Sequence, residues 1–400
     1  MVRRPSSPPR RLAIVPLLLA LITLLFAGPA RAQEVRWASV SVGDDHVCAL
    51  DEQGRAWCFG NNHTAQLGLR TPERCGTVSE SGRRDCYMTP SAAPLRAGGD
   101  TRFASVTAGR YLTCGVDAEG RGFCWGAAIG DADAYTDRCL NGTACSVRPQ
   151  PLLPERRLTR VNLKARCAVD VDGAALCWGD GARAAGRMTE PWPGMASAQV
   201  DGDPEARTLC AVMRDGRAFC RGEAVFGVRG TGSADSAEAM RPVAAAERFA
   251  QVAAIGNWAC GLDDAGAAHC WGAAGYGDVA RDSVPRPGRE QCVRWSVRTW
   301  CNLRPARVEG GQRFSGITAA VRGTLPTVYE MIGVTPGGAA YAWGGDRVLR
   351  PWHAEGRWRS AAAGDWGQCA ISMDGDLFCW GSDPKGDVQG RIPHPEARAR

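Results

Sequence analysis

The stretch from Cys48 to Gly60, CALDEQGRAWCFG, recurs along the chain and decides the fold. A cysteine opens a short apolar run, an acidic turn with a glycine follows, and a second apolar run ends in cysteine, an aromatic residue and glycine. Further copies keep both cysteines: Cys114–Gly126, Cys167–Gly179, Cys210–Gly222, Cys260–Gly272 and Cys369–Gly381. A seventh copy, Ile332–Gly344, keeps the pattern without them. Repetition at a spacing of a few tens of residues predicts a repeat architecture.

Each copy predicts a β-hairpin. Gly54 supplies the positive φ that a tight turn needs, and Asp51 can cap the turn backbone. With the turn centred near residue 53, Cys48 and Cys58 lie opposite or nearly opposite each other, where Cβ atoms are about 4.5–5.5 Å apart. The seventh copy has lost both cysteines together, as expected for a covalent pair. We therefore predict a disulfide within each of the other hairpins.

The six cysteines outside the hairpins also fall in close pairs, so all 18 cysteines can be paired. Zinc binding is the competing interpretation, but the spacing is not C-x2-C and histidine is scarce. Many disulfides indicate an oxidising compartment. The predicted pairs are Cys48–Cys58, Cys75–Cys86, Cys114–Cys124, Cys139–Cys145, Cys167–Cys177, Cys210–Cys220, Cys260–Cys270, Cys292–Cys301 and Cys369–Cys379.

The first 32 residues resemble a cleavable signal peptide. Arginines precede an apolar run at 12–26, and Ala30-Arg31-Ala32 forms a small-x-small cleavage site. The alternative is a retained membrane anchor, but the run is shorter than the roughly 20 residues of a spanning helix. We expect a secreted, periplasmic or cell-surface protein with no stable membrane insertion. Abundant Ala and Gly, with Arg in place of Lys, are typical of a GC-rich bacterial genome.

Cleavage changes the charge balance. The full chain carries +6, and removal of the five arginines in residues 1–32 leaves +1. A nearly neutral protein has no broad electrostatic attraction for nucleic acid. We therefore expect no nucleic-acid partner.

The spacing of the hairpins predicts the architecture. Their first residues are 37 to 72 positions apart, and the three longest steps contain the extra cysteine pairs. A base unit of about 40 residues is typical of a four-stranded propeller blade. An Arg-aromatic strand such as Arg36-Trp37 precedes most hairpins, and proline-bearing outer strands such as 90–95 follow them. We predict one all-β domain at 33–400, a seven-bladed β-propeller with stapled inserts at 75–86, 139–145 and 292–301, in which residues near Trp37 pair with the last blade.

The residues at 42–50, the turn after them, 57–62 and Gln66-Leu67-Gly68 together resemble the regulator-of-chromosome-condensation repeat. That family's pattern is G-x-x-H-x-x-A-L, an acidic turn, an aromatic-x-W-G-x-N segment and G-Q-L-G. The cysteine pairs are similar to those of exported bacterial relatives. The resemblance implies a seven-bladed propeller that binds proteins through a loop-built face. Nuclear members exchange guanine nucleotides on a small GTPase, an activity that an exported protein would not share.

The predicted function is therefore a secreted, non-catalytic protein-binding module, an inhibitor or surface-interaction protein that acts as a monomer without a cofactor or metal. Strand parity places all three inserts on one face. The insert CVRWSVRTWC holds Trp and Arg, which are enriched at binding hot spots, and the candidate binding residues are Arg294, Trp295, Arg298 and Trp300. The structural alternative is that both tryptophans cover a neighbouring blade.

An extracellular enzyme that uses the central channel is the alternative function. It would need convergent carboxylates at the channel mouth, and the segments at Asp44-Asp45 and Asp365 are candidates. The Asp170–Gly173 segment resembles the start of a calcium loop, but similar turns recur in most copies, which favours hairpin chemistry.

Overall fold

The strands of the propeller come from residues 36–396 of a computed structural model. The structure describes this range except 76–85, 130–134, 140–141, 179–196, 204–207, 223–225, 234–236, 274–289, 295–296, 323–327, 345–346, 366 and 384–385. The chain divides into two compact units, residues 1–35 and 36–400. The predicted signal peptide at 1–32 lies outside the described residues.

Blades 1 to 3 occupy the first half of the propeller. Blade 1 has the strand order β1-β2-β3-β6, blade 2 the order β7-β8-β9-β11-β10, and blade 3 the order β12-β13-β14 in its described part. The strands are β1 Trp37–Val42, β2 His46–Asp51, β3 Ala56–Gly60, β4 Glu73–Cys75, β5 Cys86–Met88, β6 Ser91–Ala97, β7 Phe103–Ala108, β8 Leu112–Asp117, β9 Gly122–Ala127, β10 Asp137–Arg138, β11 Ala144–Leu152, β12 Leu158–Asn162, β13 Cys167–Asp170 and β14 Ala175–Cys177.

Blades 4 to 7 repeat the arrangement, with the orders β15-β16-β17-β18, β19-β20-β21-β23-β22, β24-β25-β26-β27 and β28-β29-β30-β31. The strands are β15 Ser197–Asp203, β16 Thr208–Met213, β17 Ala218–Gly222, β18 Ala237–Pro242, β19 Phe249–Ile255, β20 Trp258–Asp263, β21 Ala268–Gly272, β22 Glu290–Arg294, β23 Val297–Arg307, β24 Gly316–Arg322, β25 Val328–Val334, β26 Ala340–Trp343, β27 Arg350–Pro351, β28 Trp358–Ala363, β29 Gly367–Ser372, β30 Leu377–Asp383 and β31 Gly386–Ile392.

The seven-bladed propeller that the repeats predict is confirmed. The first strand of each blade contacts a neighbouring blade, and β1 contacts β28 and β29, which closes the ring. We call the strands of a blade a to d in chain order, inserts excluded, with a innermost. The expected pairing of residues near Trp37 with the last blade is wrong, because β1 pairs with β2 of its own blade.

The predicted hairpin register is observed directly. Cys48 lies opposite Cys58 in the β2–β3 ladder, and the two Cα atoms are 4.1 Å apart. Ile332 lies opposite Ala342 in the copy without cysteines. All eighteen cysteines are paired, and the bonds join Cys48–Cys58, Cys75–Cys86, Cys114–Cys124, Cys139–Cys145, Cys167–Cys177, Cys210–Cys220, Cys260–Cys270, Cys292–Cys301 and Cys369–Cys379.

The acidic turn stabilises its own hairpin rather than binding a metal ion. The buried carboxylate of Asp51 accepts hydrogen bonds from the amides of Gln53 and Arg55, at 3.0 and 2.9 Å, while Gly54 has φ +74°. Asp170, which begins the calcium-like segment, accepts the equivalent bonds from the amides of Asp172 and Ala174. An aspartate that caps its own turn in this way is occupied by the backbone.

The same turn joins neighbouring blades. The carbonyl of Gly54 accepts a 2.7 Å hydrogen bond from the amide of Phe103, the aromatic residue that starts blade 2. In blade 3, Leu158 donates equivalently to Gly120, so Arg157-Leu158 fills the place of the Arg-aromatic pair. Trp37 donates to Gly375 across the junction between blades 7 and 1. One turn therefore fixes both a hairpin and the next blade.

The core lies between blades rather than at one centre. The clusters around the hairpin cystines place each cystine, or its replacement in blade 6, against apolar side chains of the next blade. Trp343 of blade 6, for example, donates its Nε1–H to Cys270 Sγ of blade 5 at 3.3 Å. Trp125, Trp271 and Trp343, each of which precedes the last glycine of its hairpin repeat, are fully buried, so they serve packing.

Candidate binding face

Two kinds of loop emerge at the same end of the propeller. Strand direction alternates within a blade, so the a–b turns and the c–d connections share one end, and the acidic b–c turns lie at the other. All three inserts are c–d connections: β4 and β5 precede β6, β10 precedes β11, and β22 precedes β23. We call these ends the insert end and the turn end.

The a–b turns of blades 1, 2 and 7 begin with glycine because neighbouring blades meet there without space for a side chain. A Cβ atom on Gly43 would collide with the carbonyl of Gly109 in blade 2, and one on Gly364 would collide with the backbone at 42–43. Each glycine is followed by a charged residue: Asp44, Arg110 and Asp365. Close packing of the turns therefore brings these charges together at the channel mouth.

The pKa of Asp44 is raised at this mouth, first by burial and then by a neighbouring negative charge. Burial and the negative charge of Asp365 raise its pKa from 3.8 to about 6, against the opposing effects of Arg110 and Lys164. The Nε atom of Arg110 lies 3.8 Å from Asp44 Oδ2. The approach of Asp44 and Asp365, which the alternative function requires, is thus present.

Asp45, the next residue, is held in the opposite way. Its Oδ2 accepts a 2.8 Å hydrogen bond from Asn61, and Gln66 lies 3.4 Å from its Oδ1. Burial alone would raise the pKa of Asp45, but His46, Asn61 and Gln66 outweigh it and hold the pKa below 3.8. The environments of these two adjacent carboxylates therefore move their pKa values in opposite directions.

Lys164 reaches across the channel mouth. Its Nζ donates a 2.6 Å hydrogen bond to the carbonyl of Ala363, which joins blade 3 to blade 7 without passing through blades 1 and 2. The Lys164 charge also acts on Asp44 and Asp201. Burial raises the pKa of Asp201, whose carboxylate accepts hydrogen bonds from Asn162 at 3.0 Å and from the Ala254 amide at 3.2 Å.

An exposed Arg-Tyr pair lies beside this mouth. The Arg110 guanidinium carbon lies 5.1 Å from the centroid of the Tyr111 ring, and Tyr111 is 38% exposed. The turn is anchored because Thr64 Oγ1 donates to the Tyr111 carbonyl at 2.8 Å. Arg and Tyr are both enriched at binding hot spots, and this pair was not among the residues selected from the sequence.

The segments that precede the first two inserts contact each other. Arg70, ahead of β4, forms a 2.7 Å ion pair with Asp137 of β10. Cys75 and Cys86 lie directly opposite each other in the β4–β5 hairpin. An ion pair therefore joins the c–d connections of blades 1 and 2.

The third insert is a β-ribbon formed by β22 and β23. Its register pairs Arg294 with Val297, Val293 with Arg298, and Gln291 with Trp300. Trp295 lies outside the described residues. The backbone thus places Arg294, Arg298 and Trp300 on a ribbon at the insert end, and their binding role stays a prediction.

The sequence hid one equivalence at this end. Val228-Arg229-Gly230 of blade 4 occupies the place of Gln66-Leu67-Gly68, because Trp271 Nε1 donates to the Val228 carbonyl as Trp125 Nε1 does to that of Gln66, at 2.7 and 3.1 Å. Gly230 has φ +64° and Gly68 φ +75°. The two tripeptides share only their glycine, so only that residue could have indicated the turn from the sequence.

Within the described ranges, no group of three His, Cys, Asp or Glu side chains could hold a metal ion. In the same part of the chain, no helix is long and apolar enough to cross a bilayer.

Comparison with known proteins identifies the repeat. The family described as "Regulator of chromosome condensation (RCC1) repeat" matches residues 37–66, which span β1 to the Gln66 loop of blade 1. This match covers a single repeat, in blade 1. The protein pim1 of Schizosaccharomyces pombe is 31% identical over 103 residues, or 26% of this chain. The match spans only 17% of pim1.

Two solved structures share the fold. Prp20p from Saccharomyces cerevisiae superposes with a TM-score of 0.61 at 14% identity, over 90% of this chain and 83% of that one. The receptor kinase CR4 ectodomain of Physcomitrella patens gives a TM-score of 0.50 at 17% identity, over 87% and 75% of the two chains. At these identities the likeness concerns architecture alone.

Proposed function

We propose that this RCC1-repeat chain is an exported, non-catalytic protein-binding propeller that engages a protein partner through its insert end. The observation that carries the proposal is that three inserts, each closed by its own disulfide, emerge at one end together with Arg110 and Tyr111. A loop that is already closed loses less conformational freedom on binding. An inhibitor or a surface-interaction protein would use such a face.

Two further observations support the proposal. Nine disulfides are typical of an oxidising compartment, in agreement with the signal peptide expected at 1–32. A solved Prp20p structure is described with its binding to Gsp1p and histones, and another with Kap60 bound. Those partners belong to the yeast protein, and what we carry over is only the use of the fold for protein binding.

The test is quantitative partner capture from the extracellular fraction of the producing organism. Beads carry the wild type, the variant Trp295→Ala/Trp300→Ala, or a control at the turn end, Val171→Ala/Met373→Ala, whose residues are 50% and 47% exposed. We expect at least about a tenfold loss of the captured partner for the tryptophan variant alone, since two hot-spot residues each contribute 1 kcal/mol or more. Equal capture by all three proteins, or loss with the control alone, would contradict the proposal.

Catalysis at the channel mouth is a second candidate, and one observation favours it. Asp44 and Asp45 are neighbours whose environments move their pKa values apart, upward to about 6 for Asp44 and downward for Asp45. Such separation is typical of acid–base pairs. A hydrolytic activity that follows an ionisation near pH 6 and is lost in Asp44→Asn would support it. Activity that is unchanged in that variant would remove it.

A further inference from the structure

One junction of the ring is not bridged by a connecting loop. Where the structure describes both strands, the outer strand of a blade runs directly into the inner strand of the next, but blade 7 ends with β31 while blade 1 begins with β1. The segment 393–396 after β31 instead folds onto blade 1. Its contacts are independent of the insert end and of the binding function proposed above.

His394 is the centre of this contact. Its ring lies between two tryptophans of blade 1, with centroids 4.7 Å from Trp37 and 4.8 Å from Trp57. The side chain is 2% exposed. A chain of ion pairs runs beside it: Arg55 contacts Asp51 Oδ2 at 2.6 Å and Glu396 Oε2 at 2.5 Å.

Hydrogen bonding fixes the protonation state of His394. Its Nδ1 accepts a 3.2 Å hydrogen bond from the amide of Glu396, so the docked ring is neutral with its proton on Nε2. That nitrogen is buried without a hydrogen-bond partner and lies 3.5 Å from Asp51 Oδ2. Asp51 Oδ2 already accepts from Arg55 and from Trp57 Nε1.

We propose that residues 393–396 form an acid-sensitive clasp that closes the junction between blades 7 and 1. A second proton on His394 would turn Nδ1 into a donor that faces the donor amide of Glu396, so the hydrogen bond that holds the segment would be lost. The charged groups facing the ring are Asp51 and Arg55 from blade 1 and Glu396 from the clasp itself. Asp51 and Glu396 favour the protonated ring, while burial and Arg55 oppose it.

The balance favours the neutral ring. Burial lowers the pKa of His394 below 6.5 despite the attraction of Asp51. A histidine whose pKa is lowered by folding contributes stability above its unfolded pKa, and that contribution is lost as the pH falls through its folded pKa. If the docked ring stays neutral, the clasp-opening equilibrium rises by up to about tenfold between pH 7.5 and 5.5, with an ordinary pKa of about 6.5 in the open state.

Hydrogen exchange with mass spectrometry at these two pH values, corrected for intrinsic rates, tests the clasp. We expect peptides covering β1 and β31 of the wild type to lose protection by up to about tenfold at pH 5.5. The variant His394→Phe keeps an aromatic ring between the tryptophans and should show no such change. The matched control is His269→Phe, because β21 residue His269 corresponds to Phe123, Phe219 and Phe378 in other blades. It should keep the wild-type response.

Equal wild-type protection at both pH values, or an acid response that survives in His394→Phe, would overturn the proposal. If that variant does not fold, proton NMR of the wild-type histidine rings decides instead. A pKa for His394 below 6.5 is expected, and a value at or above 6.5 would refute the clasp.

Discussion

Blades 5 and 6 solve the same packing problem with different chemistry. In blade 5, the Cys260–Cys270 bond lies against Phe314 and Trp343 of the next blade, and Val308 completes the cluster. In blade 6, Ile332 and Ala342 take the cystine positions and face Trp358 and Trp380 of blade 7.

The missing disulfide of blade 6 is compensated at a third position, in the outer strand region. Trp352 and Val308 are equivalent, since their amides donate to the carbonyls of Ala340 and Ala268, at 2.9 and 2.8 Å. Trp352 is 7% exposed, and its ring centroid lies 5.5 Å from that of Trp380. An indole therefore occupies space in blade 6 where blade 5 has a valine and a covalent bond. A disulfide in this fold is one of two ways to hold a blade against its neighbour.

The largest effect is expected from Trp352→Val, which gives blade 6 the valine of blade 5 without its cystine. The change removes most of a buried indole and leaves Gln368 Oε1 without the 2.9 Å hydrogen bond from Trp352 Nε1. We expect a loss of about 3 kcal/mol in the free energy of unfolding, measured by urea denaturation without reductant. Val308→Ala in blade 5 is the control and should cost less. A loss below about 1 kcal/mol would show that the indole does not replace the disulfide.

A somewhat smaller effect is expected from the reverse exchange, Cys260→Ile/Cys270→Ala, which gives blade 5 the pair of blade 6. Loss of the ten-residue closure should cost roughly 2–3 kcal/mol, measured by the same denaturation. The reciprocal Ile332→Cys/Ala342→Cys should form a new disulfide, since these residues lie directly opposite each other, and intact mass would report it. Unchanged stability of the first variant would mean that blade 5 is held by its rings alone.

The smallest effect concerns the turns. Blade 5 caps its turn with Asp263, which accepts 2.9 Å hydrogen bonds from the Ala265 and Ala267 amides and from His269. Blade 6 uses the hydroxyl of Thr335, which accepts from the Ala339 amide at 3.1 Å. The variant Asp263→Thr should lose about 1 kcal/mol at pH 7.

That loss should depend on pH. Burial alone would raise the pKa of Asp263, but its hydrogen bonds outweigh it and hold the pKa below 3.8. The carboxylate therefore stabilises the fold above its unfolded pKa, and this contribution disappears as the pH falls through the lower, folded pKa. Denaturation of wild type and variant at pH 7 and near pH 3 should show the difference shrinking in acid. An equal difference at both values would contradict the role of the charge.

Part of the packing between the first two strands of a blade could also have been predicted from the repeats. A Cβ atom on Gly115 would collide with the Phe103 ring, and one on Gly261 with that of Phe249. Where tryptophan starts the blade, as at Trp37, alanine stands at the equivalent position, Ala49. In these blades, a phenylalanine at the start of the first strand goes with glycine in the second strand, and a tryptophan there goes with alanine.

The candidate site was harder to predict. Asp44 and Asp365 could be proposed as neighbours because both precede a hairpin at the same strand end. Lys164 could not, since its partner Ala363 lies 199 positions away and across the channel. Arg110 and Tyr111 look like ordinary turn residues until the fold places them beside the inserts.

The sequence by itself determined the hairpins, the bonds within them and the number of blades. These depend on residues about ten positions apart, where turn geometry and strand alternation fix the partners. Only the tertiary structure decided which charges meet at the channel mouth and how the ring is closed, as in the contact of Arg55 with Glu396 across 341 positions. Such contacts depend on the angle between successive blades summed around the ring, and no local pattern of residues records that sum.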